Sequence, residues 1–294
     1  MKEIFPFYSI GHFINQPDNP TEFEITRFEE MEEPDVEDPH KHTFYEITWI
    51  EKGGGSQVVD YKEYKNVDGS LFFISPGQLH HFEDWQPLTG GSVFFTENFF
   101  SFNNQNETQL FETTFLDNFY ANPFLKPTKK EFEEIQRTLQ LLCAERNRKD
   151  YSENIGRSYL HILLAQIQRC IDKRSKNIAP KKYIVIYKKL KRLVDAHYME
   201  NWTASTYAKQ LHITQHHLNL VSKEVTGKTT SELLRARSVL EAKRLLTFTD
   251  APVSEIAADL GFYDVSYFAK IFKAETHYSP TVFRKSMSEK YRNL

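Results

Sequence analysis

The sequence is poor in cysteine and has no long apolar run. Only Cys143 and Cys170 occur in 294 residues. Two thiols are too few for a disulfide framework or a four-thiolate zinc site, and both fall inside helix-like patterns, where they read as ordinary buried thiols. No stretch approaches the roughly 18 apolar residues of a membrane span. The opening MKEIFPFYSI also lacks the charged, apolar and small-residue order of a secretory leader, so no membrane partner and a cytoplasmic address are expected.

What is present is core-forming. Apolar residues make up 40% of the chain and aromatic residues 14%, enough for a sizeable core and, at this length, for two domains. Charge is unevenly shared. Through Pro180 there are 18 Lys+Arg against 29 Asp+Glu, net −11; from Lys181 there are 19 against 11, net +8. A basic C-terminal part suits a polyanion, although a solvated basic surface would look the same by charge alone. The polar run DKRSKNIAPKK between two helical patterns reads as a linker.

The basic part repeats itself. Ala208, Leu211 and Ile213 match Ala257, Leu260 and Phe262 at a shift of 49 residues; Leu218, Val221, Lys223 and Thr226 match Phe268, Ile271, Lys273 and Thr276 at a shift of 50. Each copy carries apolar residues at helical spacing, a three-residue turn, and a second helix opened by an N-capping residue, Thr214 or Asp264. Both copies are therefore expected to be helix-turn-helix units, with the small Ala208 and Ala257 letting the helices cross closely. Gly261 suits the second turn; His212 stands in its place in the first, where the turn must relax or carry strain. Between the copies, TSELLRARSVLEAKRLLTF reads as one helix with Leu233, Leu234, Val239, Leu240, Leu245 and Leu246. About 17 residues rise about 25 Å, a rod suited to holding two helices about one DNA turn apart.

The run IAADLGFYDVSYFAKIFKAETHYSPTVFR resembles the signature of the AraC/XylS family of bacterial transcription regulators, from about Tyr183 to Arg284. The resemblance implies a monomeric DNA-binding unit of seven helices that inserts two recognition helices into successive major-groove segments, and RNA polymerase as a further partner. Positions matching the family's base contacts are His216, Asn219 and Leu220 on the first recognition helix and Val265, Ser266, Ala269 and Lys270 on the second. Asn219 has the amide that pairs with adenine. Leu220 replaces a commonly seen Arg, exchanging a guanine contact for a thymine methyl. Lys223 and Lys273 are expected at phosphates.

The acidic part carries HKHTFYEITWIEKGGG, in which His40, His42, Glu46 and Gly53 have the spacing of a first cupin motif, and GSLFFISPGQLHHFE, which resembles the second with His80 or His81. Short aromatic and β-branched runs punctuated by Gly and Pro point to a small β-barrel. Alternation puts His40, His42 and Glu46 on one strand face. With Phe44, Phe72 and His80 they are the expected lining of a pocket for a small-molecule effector. Two His and a carboxylate suit a divalent metal, but Gly77 follows Pro76 one residue early and the regulator family implies a sensor without metal. The expectation is no cofactor, no metal and no catalytic residue, with a metal-dependent cupin enzyme as the rival reading. Two amphipathic helices follow, with Phe132, Ile135, Leu139 and Leu142 on one and Ile155, Tyr159, Ile162, Leu163 and Ile167 on the other; the resemblance makes them a dimer interface.

The expected architecture is α+β: a cupin-like sensor and dimerisation domain over residues 1–175, a linker over 176–182, and an all-α double helix-turn-helix domain over 183–294. The expected function is a ligand-responsive, homodimeric regulator of double-stranded DNA, with activation favoured over repression.

Overall fold

In residues 45–52 Ile47 and Trp49 alternate with Glu46 and Thr48, so the strand they form can bury an apolar face on one side and a polar one on the other. A computed structural model of the chain describes residues 7–32, 36, 39–83, 88–101, 114–116, 122–174, 179–200 and 202–291. It divides into two units, Phe5–Ile178 and Ala179–Leu294 with Met1–Ile4.

In the first unit the strands are β1 (Phe7–Tyr8), β2 (Phe23–Arg27), β3 (Lys41–His42), β4 (Tyr45–Lys52), β5 (Ser56–Val59), β6 (Lys62–Lys65), β7 (Ser70–Ile74), β8 (His80–Phe82), β9 (Thr89–Phe95) and β10 (Phe124–Leu125). Short helices α1 (Ile10–Phe13) and α2 (Glu97–Phe100) and long helices α3 (Lys129–Arg146) and α4 (Glu153–Asp172) accompany them. Strand β4 is the middle of a five-stranded antiparallel sheet ordered β10-β7-β4-β9-β2; β6-β5-β8 form a second sheet, and β1 pairs in parallel with β3. The single closed barrel expected from the sequence is not found among the described residues.

Register decides which face does what. Ile47 pairs with Phe73 and Val93, and Trp49 with Leu71, placing these side chains on one face. That face packs with Phe132, Ile135, Leu139 and Leu142 of α3 and Leu160, Leu163, Leu164 and Ile167 of α4 in one core. The approach is close: a Cβ on Gly91 would meet the Trp49 ring and the Thr26 carbonyl, so only glycine fits. Helix α3 begins at a capping box in which Thr128 and Glu131 satisfy each other's backbone N–H groups. Most of the two amphipathic stripes is thus core, while Leu141, Ile155 and Ile162 remain 50%, 45% and 48% exposed. Burial pushes the Cys143 thiol up to about 11, as expected of an unreactive cysteine.

The second unit holds seven α-helices among the described residues: α5 (Lys181–His197), α6 (Ala204–Gln210), α7 (Gln215–Thr226), α8 (Thr230–Phe248), α9 (Val253–Asp259), α10 (Val265–Thr276) and α11 (Pro280–Tyr291). Helix α8 has 19 residues and buries Leu233, Val239, Leu245 and Leu246; Leu234 and Leu240 are only partly covered. It also buries Arg237 against Asp195 and Glu241 at 3.0 and 3.1 Å, with the guanidinium 3.9 Å above the Tyr198 ring. The apolar spacing of α8 carried no sign of this ion cluster. Ser279 Oγ accepts the Val282 N–H, and Pro280 opens α11, the N-cap and first-turn arrangement that Ser-Pro favours.

Candidate nucleic-acid interface and buried polar cluster

The two repeats fold alike at the level of single hydrogen bonds. Ile213 N donates to Ala208 O at 3.0 Å, and Phe262 N to Ala257 O at 2.9 Å; His212 N and Gly261 N donate to Lys209 O and Ala258 O. His212 and Gly261 both take left-handed conformations, φ 56° and 79°. The histidine therefore holds the glycine's backbone shape and carries the strain that glycine avoids. Ala208 and Ala257 are buried at the crossings. Thr214 accepts the His217 N–H and Asp264 the Tyr267 N–H, which starts α7 and α10 at matching places.

These two helices bury Leu218 and Val221, and Phe268 and Phe272, and turn their other sides to solvent. His216 and Lys223 on α7, and Ser266, Lys270 and Lys273 on α10, are exposed; Leu220 and Val265 are each 39% exposed, and Ala269 is half-buried. Asn219 is also half-buried, because its Oδ1 accepts the backbone N–H of Thr230 at 3.2 Å and so supports the start of α8. That bond uses one of the two lone pairs on Oδ1, leaving the other and the Nδ2 donor for a bidentate adenine contact. Tyr263, 97% exposed in the turn before α10, and Tyr267, 55% exposed on its first turn, were not singled out from the sequence. The aromatic density of YDVSYF was visible, but which rings face outward depends on how α10 packs.

In the other unit the sequence-identified residues are buried and partly convergent. His40, His42, Phe44, Glu46, Phe72 and His80 all lie within 7% exposure. The expectation that His40, His42 and Glu46 share one strand is corrected. Strand β3, paired with β1, ends at His42; β4 of the five-stranded sheet begins at Tyr45, and His40 lies before β3 in an isolated bridge with His80. Packing accounts for the break: Phe44 turns in against Phe13 and Phe94, with its ring stacked 4.0 Å from that of His42. His80 joins the cluster, and His81 lies one residue out of phase on β8. Phe72 shares the Glu46 face through the Thr48–Phe72 pairing, but its ring neighbours are Tyr64 and Phe124.

Glu46 is the hub. Its Oε2 lies 3.5 Å from His42 Nε2 and 3.6 Å from His80 Nε2. Its Oε1 accepts from Ser92 Oγ at 2.7 Å and Thr48 Oγ1 at 3.0 Å, two residues that sequence spacing did not reveal because they reach Glu46 through strand pairing and alternation. Burial alone would raise the Glu46 carboxyl, but the two imidazoles hold it well below the usual range. Burial lowers His42 to about 4, with Glu46 opposing.

Residues 207–286 match a helix-turn-helix domain and residues 22–94 an AraC-like ligand binding domain. The chain belongs to the AraC family. It is a DNA-binding transcription regulator with an AraC-like ligand-binding domain. It is 26% identical over 254 residues to the HTH-type transcriptional regulator YfiF of Bacillus subtilis, covering 83% of this chain and 78% of that one. It is 22% identical to the HTH-type transcriptional activator RhaS of Escherichia coli strain K12, covering 84% and 87%. Among solved structures, ToxT of Vibrio cholerae aligns over 90% of this chain and 98% of its own at 15% identity and a TM-score of 0.41. Within this AraC-family chain, no described helix is long and apolar enough to cross a membrane.

Proposed function

We propose that this AraC-family chain is a homodimeric, cytoplasmic activator whose affinity for its operator responds to a small molecule held at the buried His–Glu cluster, and that it acts with RNA polymerase. The observation that carries this is the pairing of two equivalent helix-turn-helix units, set in a basic segment, with an AraC-like ligand binding domain in the same chain. Residues 1–175 are assigned to sensing and dimerisation and 183–294 to DNA; of the 176–182 linker, residues 176–178 lie outside the described residues. Relatives that are regulators favour this over the cupin enzyme. Sequencing the fragments of the host's own genome that the protein retains tests it: recovery of a few discrete promoters supports regulation, and uniform recovery sinks it.

The base-reading surface is assigned to His216, Asn219 and Leu220 on α7 and to Val265, Ser266, Ala269 and Lys270 on α10, with Tyr263 and Tyr267 beside them and Lys223 and Lys273 on phosphates. Asn219→Ala is expected to weaken cognate binding by about 1–3 kcal/mol while changing random-DNA binding little. It should also lower unfolding stability by about 1 kcal/mol through the lost Thr230 bond. Competition titrations against both DNAs measure the first effect and urea unfolding the second; equal losses on both DNAs make Asn219 purely structural.

The dimer is assigned to the solvent faces of α3 and α4, where Leu141, Ile155 and Ile162 are left uncovered. Sedimentation of the full chain at micromolar concentration should give a dimer, and Ile162→Glu a folded monomer. An unchanged dimer in that variant moves the interface elsewhere.

A further inference from the structure

Three strands supply the side chains that meet at Glu46. His42 ends β3, Glu46 is the second residue of β4, and His80 begins β8, and the three offer ligand atoms that all lie within 4.8 Å of one another. The separations of 3.5 and 3.6 Å between Glu46 Oε2 and the two Nε2 atoms are too long for charge-assisted hydrogen bonds, which run about 2.7–2.9 Å. They match what an ion imposes instead: bonds of about 2.1 Å to a tetrahedral centre put its ligand atoms about 3.4 Å apart.

The surroundings orient the same atoms. The ring of His80 uses Nδ1 against the Gln78 carbonyl at 3.2 Å. A carbonyl can only accept, so Nδ1 carries the hydrogen, and the bond turns Nε2 toward the carboxylate. Ser92 and Thr48 occupy Glu46 Oε1 and leave Oε2 toward the imidazoles. His42 has no exposed surface, and among the described residues neither of its ring nitrogens has a hydrogen-bond partner. A histidine sealed in that way leaves a polar group uncompensated unless something bonds it.

We propose that His42, Glu46 and His80 bind one divalent first-row transition-metal ion in the ligand-binding domain. Two imidazoles and a carboxylate suit Fe2+, Co2+, Ni2+ or Zn2+; magnesium and calcium prefer all-oxygen sites, and copper(I) prefers thiolates, which the cluster lacks. Ser92, Thr48 and the Gln78 carbonyl are the outer partners that fix the ligands. Three protein ligands leave coordination positions for water or for an effector bearing an oxygen donor. This departs from the metal-free pocket implied by the family resemblance. The regulatory consequence, though not the site, rests on the reading of this domain as the effector sensor.

The test uses tag-free full-length protein, stripped with a chelator and dialysed against Co2+, Ni2+ or Zn2+ in turn. Elemental analysis should find about one ion per chain, and the Co2+ form should show visible ligand-field bands. Glu46→Gln, nearly isosteric and checked for folding by circular dichroism, should lose the ion, as should His42→Ala. Ser92→Ala should weaken binding by about 10–100-fold. Failure of the wild-type protein to take up any of the three ions overturns the site, and so does full occupancy in both Glu46→Gln and His42→Ala. Operator binding by fluorescence anisotropy separates the two readings. A protein that takes up no ion but still changes its DNA affinity with an organic effector loses the metal and keeps the sensor. One that holds the ion through the triad with DNA affinity indifferent to it keeps the site and loses its regulatory role.

Discussion

Phe268→Ala is expected to destabilise the DNA-binding unit by about 3–5 kcal/mol and to abolish specific operator binding at temperatures where the native protein binds. Phe268 is fully buried. Its ring centroid lies 5.2 Å from that of Phe262 in the turn and 5.9 Å from that of Phe272, which in turn lies 5.3 Å from Phe283 of α11. This row of rings is the fully buried side of α10; Ala269, Ile271 and Thr276 are half-buried and its other residues are exposed. Removing the ring at its centre takes away transfer free energy and leaves a cavity that an aromatic row is poorly shaped to close. A domain with a total stability of about 5–15 kcal/mol has little to spare. Phe268→Leu should cost less than half as much, and Tyr263→Ala, at a 97% exposed position, should leave stability unchanged. Urea unfolding followed by circular dichroism gives all three values; a loss below about 1 kcal/mol for Phe268→Ala would mean that α10 is held by something else.

The second large effect is ionic. The fragment Lys181–Leu294 carries 19 Lys+Arg against 11 Asp+Glu and has its own core, so it should fold alone and bind DNA. Its affinity should fall steeply with salt. Each phosphate neutralised by Lys or Arg releases condensed counterion, so a unit making about six such contacts loses about 1000-fold in affinity between about 50 and 200 mM salt. Lys273→Ala should lower the slope of log affinity against log salt by about one, on cognate and random DNA alike. Anisotropy titrations over that salt range measure it. A flat salt response would show that the basic charge of this unit faces away from DNA.

The double helix-turn-helix was legible because its signals are local. Helical spacing, an N-capping Thr or Asp, a crossing alanine and a left-handed residue in the turn lie within about two dozen residues of one another, and the second copy repeats them. The same reading went astray in the first unit. Period-two alternation put His40, His42 and Glu46 on one strand, yet burial of Phe44 interrupts the strand between β3 and β4, and among the described residues the runs identified as strands do not close into one barrel. Strand pairing depends on partners far apart in sequence, and alternation within a run does not name them.

Sequence alone determined that the chain has two parts of opposite charge, that the basic part holds two equivalent helix-turn-helix units, and that the acidic part carries a His-x-His-x3-Glu motif. Tertiary structure decided the rest. It chose His80 over His81, brought Ser92 and Thr48 onto Glu46, tied Asn219 to the start of α8, buried Arg237 within an ion cluster, and turned Tyr263 outward. Each of these depends on which residue of a distant segment lies opposite, and that is settled only when the pieces pack together: a shift of one residue in register would exchange the two faces of a strand, and no spacing within the strand itself records which register is taken.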